Sequence, residues 1–251
     1  MRYMSLPKLF LMMHFLFFIH VAYASQKVTV AFGEVQAPWV LADANKGIVV
    51  DIFTAAMAPL GYEIDYLYLP YARRTKAYNN TNVDVVSDMN SNTINKYKLH
   101  GYFSDIAYSY ENFAFSLSKN NYQFKHINEL KKHSLLSWQD AAVHLGQAYA
   151  EMANNHPRYA ETFDQASQVK MLLLERFEVV QMDANIFDYY RAKLIKDNPQ
   201  HAQQSVDRFA LLGASPNGFL FKSKKLRDEF NQQLAWLKST GQYEKIFARY
   251  F

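Results

Sequence analysis

The chain has 251 residues, with 27 Lys and Arg against 23 Asp and Glu. So small a basic excess argues against nucleic-acid binding, and with no cysteine there is neither a disulfide framework nor a lipid-carrying thiol. Arg2 and Lys8 precede an apolar run from Leu9 to Val21 that ends in Ala22-Tyr23-Ala24, the pattern of a signal peptide cut after Ala24. The run is too short for a spanning helix, which needs about 20 apolar residues, and His14 and His20 interrupt it. Loss of 1–24 removes two of the 27 basic residues and none of the 23 acids, leaving about +2 on about 227 residues. That length suffices for one large domain or two lobes of about 100 residues. Aromatic residues make up 16% of the chain, enough to fill a core and still line a pocket.

Val28 to Phe32 and Glu63 to Leu69 are β-branched and aromatic runs that predict strands. Between them Ile48, Ile52, Ala55, Ala56, Met57 and Leu60 recur at helical spacing and stop before Gly61, so strand, helix and strand form a βαβ unit. Such units build a mostly parallel sheet covered by helices. A helix over 72–79 and a strand over 83–86 follow, then a polar stretch from Ser87 to Asn95 that predicts a loop. In open α/β sheets, loops at the carboxyl ends of strands hold ligands. A second set of elements starts at the strand 113–117. It continues with a strand at 134–137, helices over 143–154 and 167–175, and a strand over 177–182 that ends in Asp183. The chain closes with a strand at 218–221 and an amphipathic helix over 224–239, with Leu226, Phe230, Leu234 and Leu237 on one face and Gly241 as its stop.

The closing stretches Gly218 to Leu226, Phe230-Asn231, Leu237 to Ile246 and Arg249 to Phe251 resemble the end of family 3 extracellular solute-binding proteins. Upstream, Ala37-Pro38-Trp39, Val83-Asp84-Val85, Phe103-Ser104, Glu129-Leu130-Lys131 and Glu178 to Asp183 resemble further segments of that family. The resemblance implies a type II periplasmic-binding-protein fold: two α/β lobes joined by a two-crossing hinge, with the ligand cleft between them. Lobe 1 would comprise 25–110 and 210–251, and lobe 2 would comprise 111–209. It implies a monomeric periplasmic protein that captures a small polar, amino-acid-like ligand by hinge closure and serves an ABC-type permease. A ligand-sensing receptor for a membrane signalling protein is the alternative.

Carried over by resemblance, Asp183 holds an ammonium, Ser91 reaches a carboxylate, Trp39 lies in the first loop, and Tyr71 stacks on or encloses the ligand. An acceptor-only Asp suits an ammonium, although Asp183 also reads as the N-cap of a helix beginning at Ala184. Likewise Tyr71 after Pro70 also reads as packing. The family's carboxylate-binding Arg is missing: counting on from Thr93 its place falls on Lys96, and counting back from Phe103 it falls on Tyr97. Lys supplies a point charge but not a planar fork. Arg73, in Pro70-Tyr71-Ala72-Arg73, is the compensating cation or else a solvated helix charge. Where the family has a Gly-Thr or Gly-Ser turn the sequence reads Gln139-Asp140-Ala141-Ala142. Asp140 there caps a helix or, in the cleft with Asp88 and Asp183, favours a basic or polyamine-like ligand.

An enzyme on the same fold, a dehydratase or lytic enzyme, is the weaker reading. No Gly-x-Ser-x-Gly elbow, His-Glu-x-x-His motif or glycine-rich phosphate loop occurs, and His126, His133, His144 and His156 lack zinc-ligand spacing. No cofactor and no metal are expected.

Overall fold

A computed structural model describes residues 26–80 and 82–250, and the leader expected at 1–24 lies outside them. Strand β1 (Lys27–Phe32) leads into the short strands β2 (Val35–Gln36) and β3 (Val40–Leu41), helix α1 (Ile48–Met57), strand β4 (Glu63–Tyr68), helix α2 (Tyr71–Asn80) and strand β5 (Val85–Met89). Helix α3 (Ser91–Tyr97), strand β6 (Tyr102–Phe103) and the long strand β7 (Tyr108–Leu117) follow. The middle of the chain forms β8 (Leu135–Trp138), α4 (Ala141–His144), α5 (Gln147–Asn154), β9 (Tyr159–Thr162), α6 (Gln165–Leu173), β10 (Val179–Asp183), α7 (Ala184–Asp197) and β11 (Val206–Phe209). Strand β12 (Ala214–Phe221) and helices α8 (Lys224–Ser239) and α9 (Gln242–Phe247) complete it.

Two expectations change. The polar stretch at 87–95 is not a loop: β5 continues to Met89, and the Asn90 side chain accepts the Thr93 N–H at 3.0 Å to cap α3. Residues that favour loops favour helix N-caps for the same reason, a short side-chain acceptor beside an orphan N–H. The helix expected over 143–154 divides into α4 and α5 at Gly146, whose φ of 91° interrupts it.

The sheet runs β4-β1-β5-β12-β7-β10-β8-β9, with β6 added beside β12 and β11 beside β7. In its first half β1 lies parallel to β4 and β5, and in its second half β8 lies parallel to β10 and β9. Strands β7 and β12 join the halves. Residues 214–217 of β12 pair antiparallel with Tyr108 to Glu111 of β7, and then Gly218 to Phe221 turn to pair with β5. Beyond that crossing, β7 pairs with β10 and β11. The carboxyl ends of β5 and β10 therefore face each other across the two crossing strands.

Each half has its own aromatic core. Helices α1 and α8 cover the first half, where Phe53, Phe219, Phe221 and Phe230 are fully buried with ring centroids 5.1–6.5 Å apart. In the second half Phe115 of β7 stacks on Phe187 of α7 at 3.9 Å. Buried Gln168 donates to the carbonyls of Leu136 and Gln181 at 2.7 and 2.6 Å, tying α6 to the sheet. Phe230→Ala removes the ring at the centre of the first cluster, so unfolding free energy in denaturant titration should fall by roughly 3–5 kcal/mol. A loss below about 1 kcal/mol would mean that the cluster refills the space.

Candidate functional site

Where the two halves meet, Gln36, Tyr71, Asp88, Tyr110, Asn112, Trp138, His144, Gln165, Asp183 and Ile186 line a small cavity. A second small cavity adjoins it through Gln36, Tyr71, Trp138 and Gln165, and reaches Glu34, Arg74 and exposed Phe163. The lining comes from β2, the end of β5, the start of α2, the crossing strand β7, the ends of β8 and β10 with the helices that follow them, and the start of α6.

Asp88 is held by four side-chain donors. Its carboxylate accepts from Arg74, from Ser87 Oγ at 2.8 Å, from Tyr108 OH at 3.0 Å and from Tyr110 OH. Burial opposes its ionised form, but the Arg74 guanidinium and the hydroxyls of Tyr110, Ser87 and Tyr108 outweigh burial and hold its carboxyl below the usual aspartate value. The Arg74 guanidinium also lies 4.7 Å over the Tyr71 ring, and the whole Arg74–Asp88 pair is buried.

Asp183 faces it from the second half, 3% exposed at the end of β10. Oδ1 accepts from Trp39 Nε1 at 2.8 Å and from the N–H groups of Asn185 and Ile186 at 3.0 and 3.1 Å, so Asp183 caps α7. Oδ2 accepts from the Glu111 N–H at 2.8 Å. All four donors are neutral, and burial still pushes the carboxyl up to about 6.

His144 closes the cavity from α4. Its Nδ1 lies 2.9 Å from Tyr71 OH and 3.2 Å from Thr93 Oγ1, and its carbonyl accepts from the Asn90 and Asn92 side chains at 3.2 Å. Nε2 is buried, and the Asn217 side chain is a hydrogen-bonding neighbour of the ring. Burial lowers its pKa to about 4, Asp88 opposing and Arg74 reinforcing the shift. The rings of Tyr71, Trp138 and His144 pack edge to face at 5.2–5.8 Å. These bonds join the two halves directly, as do Ala72 N–H to Gln139 Oε1 at 3.2 Å and Ala37 N–H to Tyr190 OH at 3.4 Å.

The structure thus brings Tyr71, Asp88 and Asp183 together around one cavity. Trp39 stands behind it, buried against Tyr108 and Tyr110, and reaches the site through Asp183. Arg73 is exposed on α2 and does not line the cavity. Successive helical residues turn by about 100°, so directing Arg74 inward carries Arg73 outward. Ser91 is exposed at the start of α3 in an outer groove, and Lys96 is exposed in a separate depression with Asn95 and Gln147. Asp140 makes no side-chain cap to α4 and lies outside the lining, near Tyr97 and Glu161. Arg74, Tyr110, Trp138 and His144 were not anticipated. The adjacent Arg73-Arg74 pair in the sequence contained the signal for one of them, and helical phase chose which.

The sequence model of the bacterial extracellular solute-binding proteins, family 3, matches residues 28–251. A search of curated proteins finds no match. Among solved structures, a histidine kinase sensor domain with similarity to periplasmic binding proteins superposes with a TM-score of 0.73 at 17% identity, covering 90% of this chain and 96% of that one. The GluR0 ligand-binding core complexed with L-glutamate gives 0.72 at 16% identity, covering 91% and 99%. The arginine-, lysine-, histidine-binding protein ArtJ from Geobacillus stearothermophilus gives 0.70 at 17% identity, covering 90% and 95%. The shared architecture is the type II periplasmic-binding-protein fold.

Proposed function

Because the chain belongs to family 3 of the bacterial extracellular solute-binding proteins, we propose that it is an exported periplasmic receptor that captures a small polar, amino-acid-like ligand by hinge closure. Lobe 1 comprises 25–110 and 210–251, lobe 2 comprises 111–209, and β7 and β12 form the hinge. The loaded protein docks on an ABC-type permease, and its role is binding rather than catalysis. The observation that carries this reading is the cavity itself, walled by both sheet halves and closed by hydrogen bonds from Tyr71, Thr93, Asn90 and Asn92 to His144. A ligand that bridges such walls binds the closed form better than the open one, and that differential affinity drives closure.

A thermal-shift screen against amino acids, amines, short peptides and small organic acids tests it. A ligand at 100 times its Kd should stabilise the protein by about 2.7 kcal/mol. Consumption of a stabilising compound would overturn the binding role, and silence across all classes would overturn the ligand assignment. A sensing role is the second reading, favoured by the likeness to the kinase sensor domain. Uptake of the labelled ligand separates the two: transport is lost on deletion of an importer's receptor and persists on deletion of a sensor.

Within the site Asp183→Ala should weaken ligand binding by roughly 2–5 kcal/mol in calorimetry, the usual penalty for truncating a buried charged partner. Unchanged affinity would remove Asp183 from the ligand's contacts.

A further inference from the structure

Resting on the cleft as the ligand site, we infer that its ligand is a small amine cation without a carboxylate, and that Asp88 is the residue that excludes the carboxylate. The cavity's charge balance leads there. Asp88 and Asp183 line the inner cavity, and none of the described lining residues is Lys or Arg. The nearest cation, Arg74, is held by Asp88, so the pair is neutral as a unit. Asp183 has no such partner: Trp39 Nε1 and three backbone N–H groups solvate its carboxylate without cancelling its charge. The site as a whole therefore carries one uncompensated negative charge.

A monocation cancels that charge, whereas a zwitterion leaves it in place. The zwitterion must also bury its own carboxylate in a cavity whose charged lining is two aspartates. A buried anion without a counter-charge is strongly unfavourable. In the usual means of holding a carboxylate, a guanidinium fork accepts it. Here Asp88 already holds Nη1 of Arg74 and cancels its charge, while Nε of Arg74 is buried without a partner.

The rest of the lining suits an ammonium. Asp183 Oδ2 accepts from the Glu111 N–H alone and has a lone pair to spare. Gln36, Asn112 and Gln165 add neutral polar side chains to the lining. The aromatic residues Tyr110 and Trp138 also line the space, and aromatic faces stabilise cations.

Calorimetry on the protein at pH 7.5 with three matched pairs tests the inference: isoamylamine against leucine, choline against glycine betaine, and phenethylamine against phenylalanine. Each pair differs chiefly by the carboxylate. At least one amine should bind, and bind at least about tenfold tighter than its carboxylated counterpart, equal to 1.4 kcal/mol. Equal or tighter binding of the carboxylated member would overturn the inference while leaving the receptor reading intact. Silence for all three amines would also overturn it, and the broader thermal-shift screen then judges the receptor reading separately. Asp88→Asn, which frees Arg74, should shift the preference at least about tenfold toward the carboxylated member, and an unchanged ratio removes Asp88 from specificity. If that variant does not fold, Asp183→Asn serves instead: asparagine caps a helix as well as aspartate does, so the fold should persist while amine binding is lost. Retained amine binding in that folded variant overturns the inference.

Discussion

Asp88→Ala is expected to lower the unfolding free energy by roughly 3–5 kcal/mol, because it leaves the Arg74 guanidinium buried without a counter-charge. Arg74→Met should give a loss of similar size by stranding the Asp88 carboxylate, although Ser87, Tyr108 and Tyr110 still donate to it. The double variant should lose much less than the sum of the two, since neither charge then remains to be solvated. Denaturant titrations of the four proteins measure this coupling. Additive losses, or single-variant losses below about 1 kcal/mol, would mean that water reaches the pair and compensates it. The same pair connects stability to specificity, because the carboxylate that keeps Arg74 stable also cancels its charge toward a ligand.

The second large effect is on pH dependence, where two buried groups of the cleft act in opposite senses. His144 ordinarily titrates near 6.5 but is held to about 4 in the folded protein, chiefly by burial, with Asp88 and Arg74 as its charged neighbours. Above pH 6.5 it is neutral in both states. As pH falls from 6.5 toward 4 only the unfolded chain binds the proton, so stability declines by roughly 3 kcal/mol. Asp183 ordinarily titrates near 3.8 and is raised to about 6. As pH falls from 6 toward 3.8 the folded protein binds that proton first, so stability rises by roughly 3 kcal/mol. In the wild type the two contributions nearly cancel between pH 6 and 4.5. His144→Gln should therefore gain stability as pH drops through that window, and Asp183→Asn should lose it. Parallel profiles for the two variants, followed by unfolding midpoint against pH, would show that neither group is desolvated as its burial implies.

Much of the architecture was legible in order along the chain. Strand β1, helix α1 and strand β4 lie where β-branched runs and helical spacing placed them, and Gly61 closes its turn with φ of 75°. Helix α8 spans the interval marked by Leu226, Phe230, Leu234 and Leu237, all four of which are buried. These are local properties: a period of 2 or 3.6 residues says which face of an element seeks the core, whatever the partner. Other elements were anticipated only in part. The 10-residue strand β7 is expected only from Phe113, although the alternation of Tyr108-Ser109-Tyr110-Glu111 between buried and exposed is itself a period-2 signal along the crossing with β12. Helix α7 was anticipated only through its cap, Asp183.

The sequence by itself determined the principal strands and helices of two α/β sets, and the kinds of side chain gathered near strand ends: Tyr71 after the second strand, Asp88 in the polar stretch after Val86, Asp183 after the strand over 177–182. Only the tertiary structure decided what those side chains do. Helical phase turned Arg74 rather than Arg73 inward. The crossing of β7 and β12 brought Tyr108 and Tyr110 onto Asp88, 20 and 22 residues away. The break at Gly146 separates α5 from α4, whose last residue, His144, reaches Tyr71, 73 residues away. Secondary structure answers to hydrophobic periodicity within a few residues. The charge balance of a buried site depends on which ionised groups end up within a few ångströms of one another, and only the folded chain sets those distances.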